Sequence, residues 1–345
     1  MKKVIVAPLN WGLGHASRCA PIIKKLQKNN FTPVIASDGD SLSYLKKEFS
    51  ELEFLELPSY KISYGKNLKW SLFLKLPRFL KTLKKEQKVL QKYLQKNSNV
   101  VGIISDNRFG IYSKKIPSVY ITHQTNVLSG FTTKFTTYFH QKIIKKFNEC
   151  WIPDEENSIF SGKLSKTDKK LNQKYIGILS RFEAKDFPQT IDVLIVLSGP
   201  EPNRSNLESK LVSVFKTSKQ NICLVQGKVE KTQITSRISN IDVVNFMLAD
   251  ELEKALNSSK LVICRAGYSS IMDLVKLKKK AILIPTKFQS EQEYLAKHLQ
   301  EEGFFPYINE SNIDEQIVEL SMVKFDIDYK NEEFNSVLFH LFKGK

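Results

Sequence analysis

The sequence is poor in arginine. Only seven of its 53 basic residues are arginine, so the formal net charge of +17 is carried by lysine. Phosphate and base recognition favour the bidentate guanidinium fork, and no arginine-rich stripe interleaved with aromatics occurs. Nucleic acid is therefore not an expected partner. The charge is left to lysine-rich composition or to attraction for an anionic membrane. The four cysteines, Cys19, Cys150, Cys223 and Cys264, are scattered without a CxxC pair. This argues against a disulfide framework or a structural zinc site and for a reducing, cytoplasmic compartment. No apolar run approaches the ~18 residues of a membrane span. The opening MKKVIVAPLNWGLGH has lysines and an apolar stretch, but that stretch is short and ends in a Gly-rich turn, as a first strand does rather than a signal peptide. There is no GxSxG elbow, no complete GxGxxG and no His, Cys or carboxylate cluster with metal-ligand spacing, so serine-hydrolase chemistry is unsupported and no metal is expected.

What is present is a regular alternation. At 345 residues, 41% of them hydrophobic, the chain can bury more than one core. Buried strands are expected at Val4–Pro8, Pro33–Ser37, Leu52–Leu57, Val100–Ser105, Val119–Thr122 and Cys150–Pro153, separated by helical patterns. After a looser stretch with a lone strand at Lys174–Ile178, a second series begins at Asp192–Leu197 and continues through Asn221–Gln226, Val243–Phe246, Leu261–Cys264 and Ala281–Pro285. Such alternation implies an α/β chain with doubly wound parallel sheets. The expected division is 1–184, an N-terminal Rossmann-like domain, and 185–328, a second one. A terminal segment, 329–345, with an amphipathic helix over Glu332–Phe342, would cross back to the N-terminal domain.

In open α/β sheets, ligands bind beyond the carboxyl ends of the strands, so the strand-to-helix corners carry the candidates. Leu261–Ala296 reads strand, Arg265-Ala266-Gly267 turn, helix from about Ser270, strand, polar loop, helix. Gly267 permits close backbone approach, Ser269 and Ser270 stand at a helix start suited to an anion, and Asp273 lies one turn in, where a carboxylate accepts ribose hydroxyls. A plain βαβ unit with serine caps reads equally well from spacing alone. At the first corner, Gly12 and Gly14 precede His15, either a base at the sheet edge or a capping histidine. Asp106 ends the strand Val100–Ser105 on the same edge, as an orienter of His15 or as a turn cap. Asp38-Gly39-Asp40 has the form of a DxD metal motif but stands where turn and N-cap residues belong. Leu68–Gln95 mixes aromatics with lysines; Leu76, Leu80, Leu83 and Leu90 suit a sheet-covering face, and Trp70–Phe79 suits a membrane surface.

Several of these pieces together resemble the GT-B glycosyltransferases, most closely the MurG-type, family 28-like transferases that move N-acetylglucosamine from UDP. Gly12-Leu13-Gly14-His15 is similar to that family's GGH loop, and Ile116-Pro117 with His123-Gln124-Thr125-Asn126 to its IP…HEQN segment. Gly177–Arg181 resembles the GNPVR-like hinge, and Leu197-Ser198-Gly199 the GGS loop. Cys264–Asp273 is similar to SRAG…E with Asp273 in place of Glu, and Glu291–Ala296 to DHQxxNA. The resemblance implies two Rossmann-like domains facing across a cleft and an inverting, metal-independent hexosyltransferase using a UDP-sugar. Asp273 would bind the ribose; Ser198, Gly199, Ser269 and Ser270 the pyrophosphate; Phe246 and Met247 the base; Glu291 and Gln292 the sugar. Gly14 and Gly267 would also contact the donor, and Arg181 and Arg265 would lie near the phosphates. His15, with Asp106 as the other catalytic residue, would face the reacting centre as base or as stabiliser of the leaving diphosphate, with His123 and Asn126 on the acceptor side. The acceptor, a glycan, lipid-linked or small molecule, would belong to cell-envelope glycan synthesis, with the enzyme cytoplasmic and peripheral at the inner face of the membrane. A nucleotide-sugar hydrolase of the pseudaminic-acid pathway has similar motifs, and a non-catalytic nucleotide-sugar-binding protein is the reading from another class.

Overall fold

A computed structural model describes residues 1–60, 68–166, 170–228, 230–313, 317 and 334–343, and for 68–76, 131 and 336 the backbone alone. The chain divides into two compact units, Met1–Leu179 with Glu333–Lys345, and Ser180–Glu332. The expected division at 184 thus lies five residues beyond the observed one, because Ser180 and Glu183 already bond to partners in the second unit.

In the first unit a sheet of seven strands runs in the order β3-β2-β1-β4-β5-β6-β7. The strands are β1 (Lys2–Pro8), β2 (Phe31–Ser37), β3 (Glu53–Glu56), β4 (Val100–Asp106), β5 (Ser118–Ile121), β6 (Glu149–Ile152) and β7 (Gln173–Tyr175). Every pairing is parallel. A parallel sheet is covered on both faces, and its strands read as near-continuous apolar runs. Along β1 the side chains alternate: Val4 and Val6 join one core with Ala16, Ile22 and Ile23 of helix α1 (Gly14–Lys28). Ile5 and Ala7 join another with Leu90 of helix α3 (Leu68–Lys96). Helices α2 (Gly39–Glu48) and α4 (Thr133–Ile144) are the other α-helices among the described residues of this unit. On α3, Leu90 packs as expected, but Leu80 is exposed and the buried line is Thr82, Glu86, Leu90. The side chains of Trp70 through Leu76 lie outside the described residues.

The terminal segment returns to this unit, not as an α-helix but as a 3₁₀ turn at Ser336–Phe342. Three residues per turn place Phe339 and Phe342 on one face, both buried with Trp151 and Phe31. The fit relies on Gly102 of β4, where a Cβ would collide with the Phe342 ring.

The second unit holds a six-stranded sheet in the order β10-β11-β9-β8-β12-β13. Its strands are β8 (Ile191–Val196), β9 (Ile222–Val225), β10 (Thr235–Ile238), β11 (Ile241–Val244), β12 (Ser259–Cys264) and β13 (Ala281–Leu283), and its helices α5 (Asn203–Phe215), α6 (Ala249–Asn257), α7 (Tyr268–Lys276) and α8 (Ser290–Glu301). Among the described residues only the edge strand β10 runs antiparallel. Its four residues are exposed, so the apolar pattern that marks the other strands is missing from it. Helix α7 begins at Tyr268, two residues before the expected start, with Gly267 in the N-cap position.

Candidate active site

Among its parallel strands each sheet reverses its strand order once, between β1 and β4 in the first unit and between β8 and β12 in the second. At such a switch point the two following loops leave in opposite directions and open a crevice. In the first unit Pro8 is paired with Asp106, and the Leu9 N–H donates to the Asp106 carbonyl at 2.9 Å. The chain then turns through the Gly-rich loop into α1, whose first residues are Gly14 and His15. Two residues 91 apart in sequence therefore meet: His15 Nδ1 lies 3.0 Å from Asp106 Oδ1.

A third residue, which sequence reasoning missed, holds the pair. Arg18, one turn along α1 from His15, donates from Nε to Asp106 Oδ2 at 2.6 Å and from an Nη to Oδ1. It also lies 3.1 Å from His123 Nδ1 and 3.0 Å from His15 Nδ1. Asp106 is fully buried and Arg18 nearly so, whereas His15 keeps 14% of its side chain exposed. Burial alone would raise the Asp106 pKa; Arg18, then His15, reverse this and hold it well below the usual carboxylate range. With Asp106 ionised, the His15 tautomer that bonds to it carries its proton on Nδ1 and keeps the Nε2 lone pair. In that tautomer the Arg18 Nη, itself a donor, stands beside Nδ1–H without hydrogen-bonding to it. Arginine only donates, so His123 Nδ1 is an acceptor, and this buried ring follows β5 as part of the same cluster. Cys19 touches Asp106 at 3.6 Å, but burial pushes its thiol pKa well up. The signal for Arg18 was available in principle, as an arginine on the face of α1 that also carries Ala16, Cys19, Ile22 and Ile23.

The other acceptor-side candidate, Asn126, is committed to the segment that follows β6. Its amide donates to the carbonyls of Lys163 and Lys166, and its backbone N–H to Leu164. Asp38 of the DxD-like triplet occupies the N-cap position of α2. Its buried carboxylate takes a hydrogen bond from Arg108, while Asp40 is exposed. Arg108 also donates to Glu86 at 2.8 Å and to the carbonyls of Pro8 and Pro58 at 3.2 and 3.1 Å. This buried knot, closed by Tyr60 on Glu86 at 2.5 Å, ties together the carboxyl ends of β1 and β2 and the loop after β3.

In the second unit, Ser198 and Gly199 follow β8 and are exposed. The loop after β9 presses on them from behind, and a Cβ at Gly227 would strike the Leu197 carbonyl. After β12 come Arg265, Gly267 and the first turn of α7 with Ser269 and Ser270, both partly exposed. Asp273, one turn further, accepts from Ser180 Oγ at 2.5 Å. Desolvation raises its carboxyl pKa to about 6, against the pull of Arg181 and Ser180. Arg265 departs from its expected place among phosphate ligands: it is buried, ion-paired to Glu310 at 2.9 Å, and bonded to the Asn203 carbonyl at the start of α5. Phe246 is buried and Met247 partly so; their loop is fixed by Gln233, which donates to the Phe246 carbonyl at 2.9 Å and to Glu251 at 2.7 Å. At the start of α8, Glu291 is partly exposed, and Gln292 accepts from the Thr286 N–H at 2.9 Å. Thus the sheet edge of the second unit gathers Ser198, Gly199, Gly267, Ser269, Ser270 and Asp273 at one switch point, with Arg265 turned beneath it.

Residues 196–331 match the Glycosyltransferase family 28 C-terminal domain. The chain is 22% identical over 322 residues to the UDP-N-acetylglucosamine--N-acetylmuramyl-(pentapeptide) pyrophosphoryl-undecaprenol N-acetylglucosamine transferase of Acetivibrio thermocellus, covering 87% of this chain and 82% of that one. Among solved structures it is similar to MurG of Acinetobacter baumannii, with TM-score 0.58 and 14% identity over 94% of this chain and 91% of that one. It is also similar to the glycotransferase of kitacinnamycin, with TM-score 0.64 and 13% identity over 93% and 90%. The sheet topology, the domain match and these relatives together make the protein a glycosyltransferase of GT-B architecture, similar to the MurG-type transferases.

Proposed function

We propose that the protein is an inverting, metal-independent transferase that moves a hexose from a UDP-sugar to an acceptor hydroxyl, with His15 as the proton acceptor. One observation carries this reading: the His15 imidazole is held through Nδ1 on a buried, ionised Asp106, which leaves Nε2 as a base at a switch point. In the step, the acceptor oxygen bonds the anomeric carbon as the carbon–oxygen bond to the diphosphate breaks. The electron pair leaves with UDP, and the hydroxyl proton passes to Nε2. The second unit holds the donor. The N-terminus of α7, with Ser269 and Ser270, and the exposed Ser198-Gly199 backbone offer N–H groups to the diphosphate. Asp273 takes the ribose, the Phe246-Met247 loop the base, and Glu291 and Gln292 the sugar. Arg265 acts indirectly, by holding the loop after β12 against Glu310. Metal independence draws support from Asp38, whose carboxylate is occupied by Arg108 instead of being open to a cation.

The acceptor side is proposed to meet an anionic membrane surface. Helix α4 exposes Phe135, Tyr138 and Phe139, at 53, 58 and 47%, beside Lys134 and Lys142. Aromatic side chains flanked by lysines suit the headgroup boundary. Among the described residues no helix is long and apolar enough to cross a membrane.

A nucleotide-sugar panel read by thermal shift tests the donor, and UDP release with and without added acceptor tests the reaction. UDP-sugars are expected to stabilise the protein, and UDP release is expected to need an acceptor and to survive chelation of divalent cations. Stabilisation by another nucleotide class alone would show the donor assignment to be wrong. Rapid release without acceptor would instead favour hydrolysis, and tight binding without release a sensor.

A further inference from the structure

We propose that Arg18 is the positioning residue of the site, fixing Asp106 and with it the orientation of His15, and opposing at the imidazole the field of the Asp106 carboxylate. This rests on the reading of His15 as the proton acceptor. The geometry is specific. One guanidinium donates to both oxygens of Asp106 and to His123 Nδ1 and lies 3.0 Å from His15 Nδ1. One planar fork thus fixes the side chains from β4 and the loop after β5, and Asp106 in turn sets the His15 ring of α1. Lysine offers no such set of donors.

The charges facing His15 pull in opposite directions. Asp106 from β4 favours the imidazolium; Arg18 from its own helix, 3.0 Å from Nδ1, disfavours it. Behind them stand Cys19 on Asp106 and His123 on Arg18, with His140 of α4 next to His123. Arg18 opposes the pull of Asp106 while leaving the Nδ1–H···Asp106 bond that orients the ring. It also neutralises the Asp106 charge, which would otherwise stand buried without a fixed cation.

The test is the titration of the His15 ring protons by NMR in the full-length protein, assigned with H15Q; the chain has five histidines. In R18M the His15 midpoint is expected to rise by about 1–3 units, the effect of removing a cation at hydrogen-bond distance, and the acid limb of kcat/KM to move with it. In D106N the midpoint is expected to fall. R18K keeps the charge without the fork: its midpoint should stay near wild type while kcat drops at unchanged donor KM. An unchanged midpoint in folded R18M overturns the proposal. If R18M does not fold, R18K decides, and wild-type kcat in that variant overturns it. The midpoints are read without turnover, so an inactive wild type would remove the transferase reading and leave the result for Arg18 standing.

Discussion

Asp273 carries its charge at a cost. A carboxyl whose pKa is raised to about 6 by desolvation, above the ~3.9 of an unfolded chain, binds its proton more tightly in the folded state. Its contribution to stability is full below about pH 4 and is lost as pH rises through 6. Asn keeps an acceptor for Ser180 Oγ and removes the charge. D273N is therefore expected to raise the melting temperature of the unliganded protein at pH 8, and the gap to wild type should narrow as pH falls through 6 and close near 4. In the same variant a UDP-sugar should add less stability than in wild type, on the proposal that the Asp273 carboxylate takes the ribose. Melting curves across pH, with and without nucleotide sugar, measure both. A D273N protein that melts lower than wild type at pH 8 would mean that Arg181 compensates the charge fully and that the position stores no strain for a ligand. The replacement of Glu by Asp at this position was visible in the sequence. The Ser180 hydroxyl that holds the shorter side chain was not, since the two are 93 residues apart.

Among the elements, those whose burial shows in their own residues were legible and those stabilised by distant partners were not. The β1 run VIVAP, the turn into α1 and the carboxyl end of β4 could be read because apolar strands and glycine corners are local signals. Strand β10 could not, since its residues face solvent, and the 3₁₀ turn at Ser336–Phe342 owes its form to the distant Trp151 and Gly102. The buried line Thr82, Glu86, Leu90 on α3 was hidden for the same reason: a glutamate in a lysine-rich helix reads as solvated until Arg108 is placed against it. That pair gives a prediction at this scale. Burial raises the Glu86 pKa and Arg108 opposes the rise, so removing Arg108 leaves Glu86 and Asp38 without their cation. R108M is expected to cost about 3–5 kcal/mol in urea unfolding, and R108M/E86Q to recover part of that loss. If the double variant is no more stable than R108M, the cost lies in the carbonyl bonds to Pro8 and Pro58 and not in the uncompensated charge.

For the whole molecule, the charge of +17 could be read as composition or as attraction to a membrane, and residue counts do not separate the two. Placement does. Aromatic residues left exposed on a surface helix beside lysines require an explanation that scattered lysine does not, and α4 has three of them, with Lys142 lying 5.5 Å over the Tyr138 ring. The sequence had pointed instead to Trp70–Phe79, most of whose side chains lie outside the described residues. If the aromatic face is the anchor, binding to vesicles containing anionic lipid should have two separable parts. The electrostatic part is worth about 1 kcal/mol per lysine near the surface and is screened within a Debye length of ~8 Å at 0.15 M salt. The apolar part comes from ring burial and resists salt. Co-sedimentation of wild-type protein should therefore weaken with salt but not vanish, whereas F135S/Y138S/F139S should bind at low salt and release completely at 0.5 M. Equal salt release of the two proteins would show that the lysines act alone and that the aromatic face of α4 meets something other than lipid.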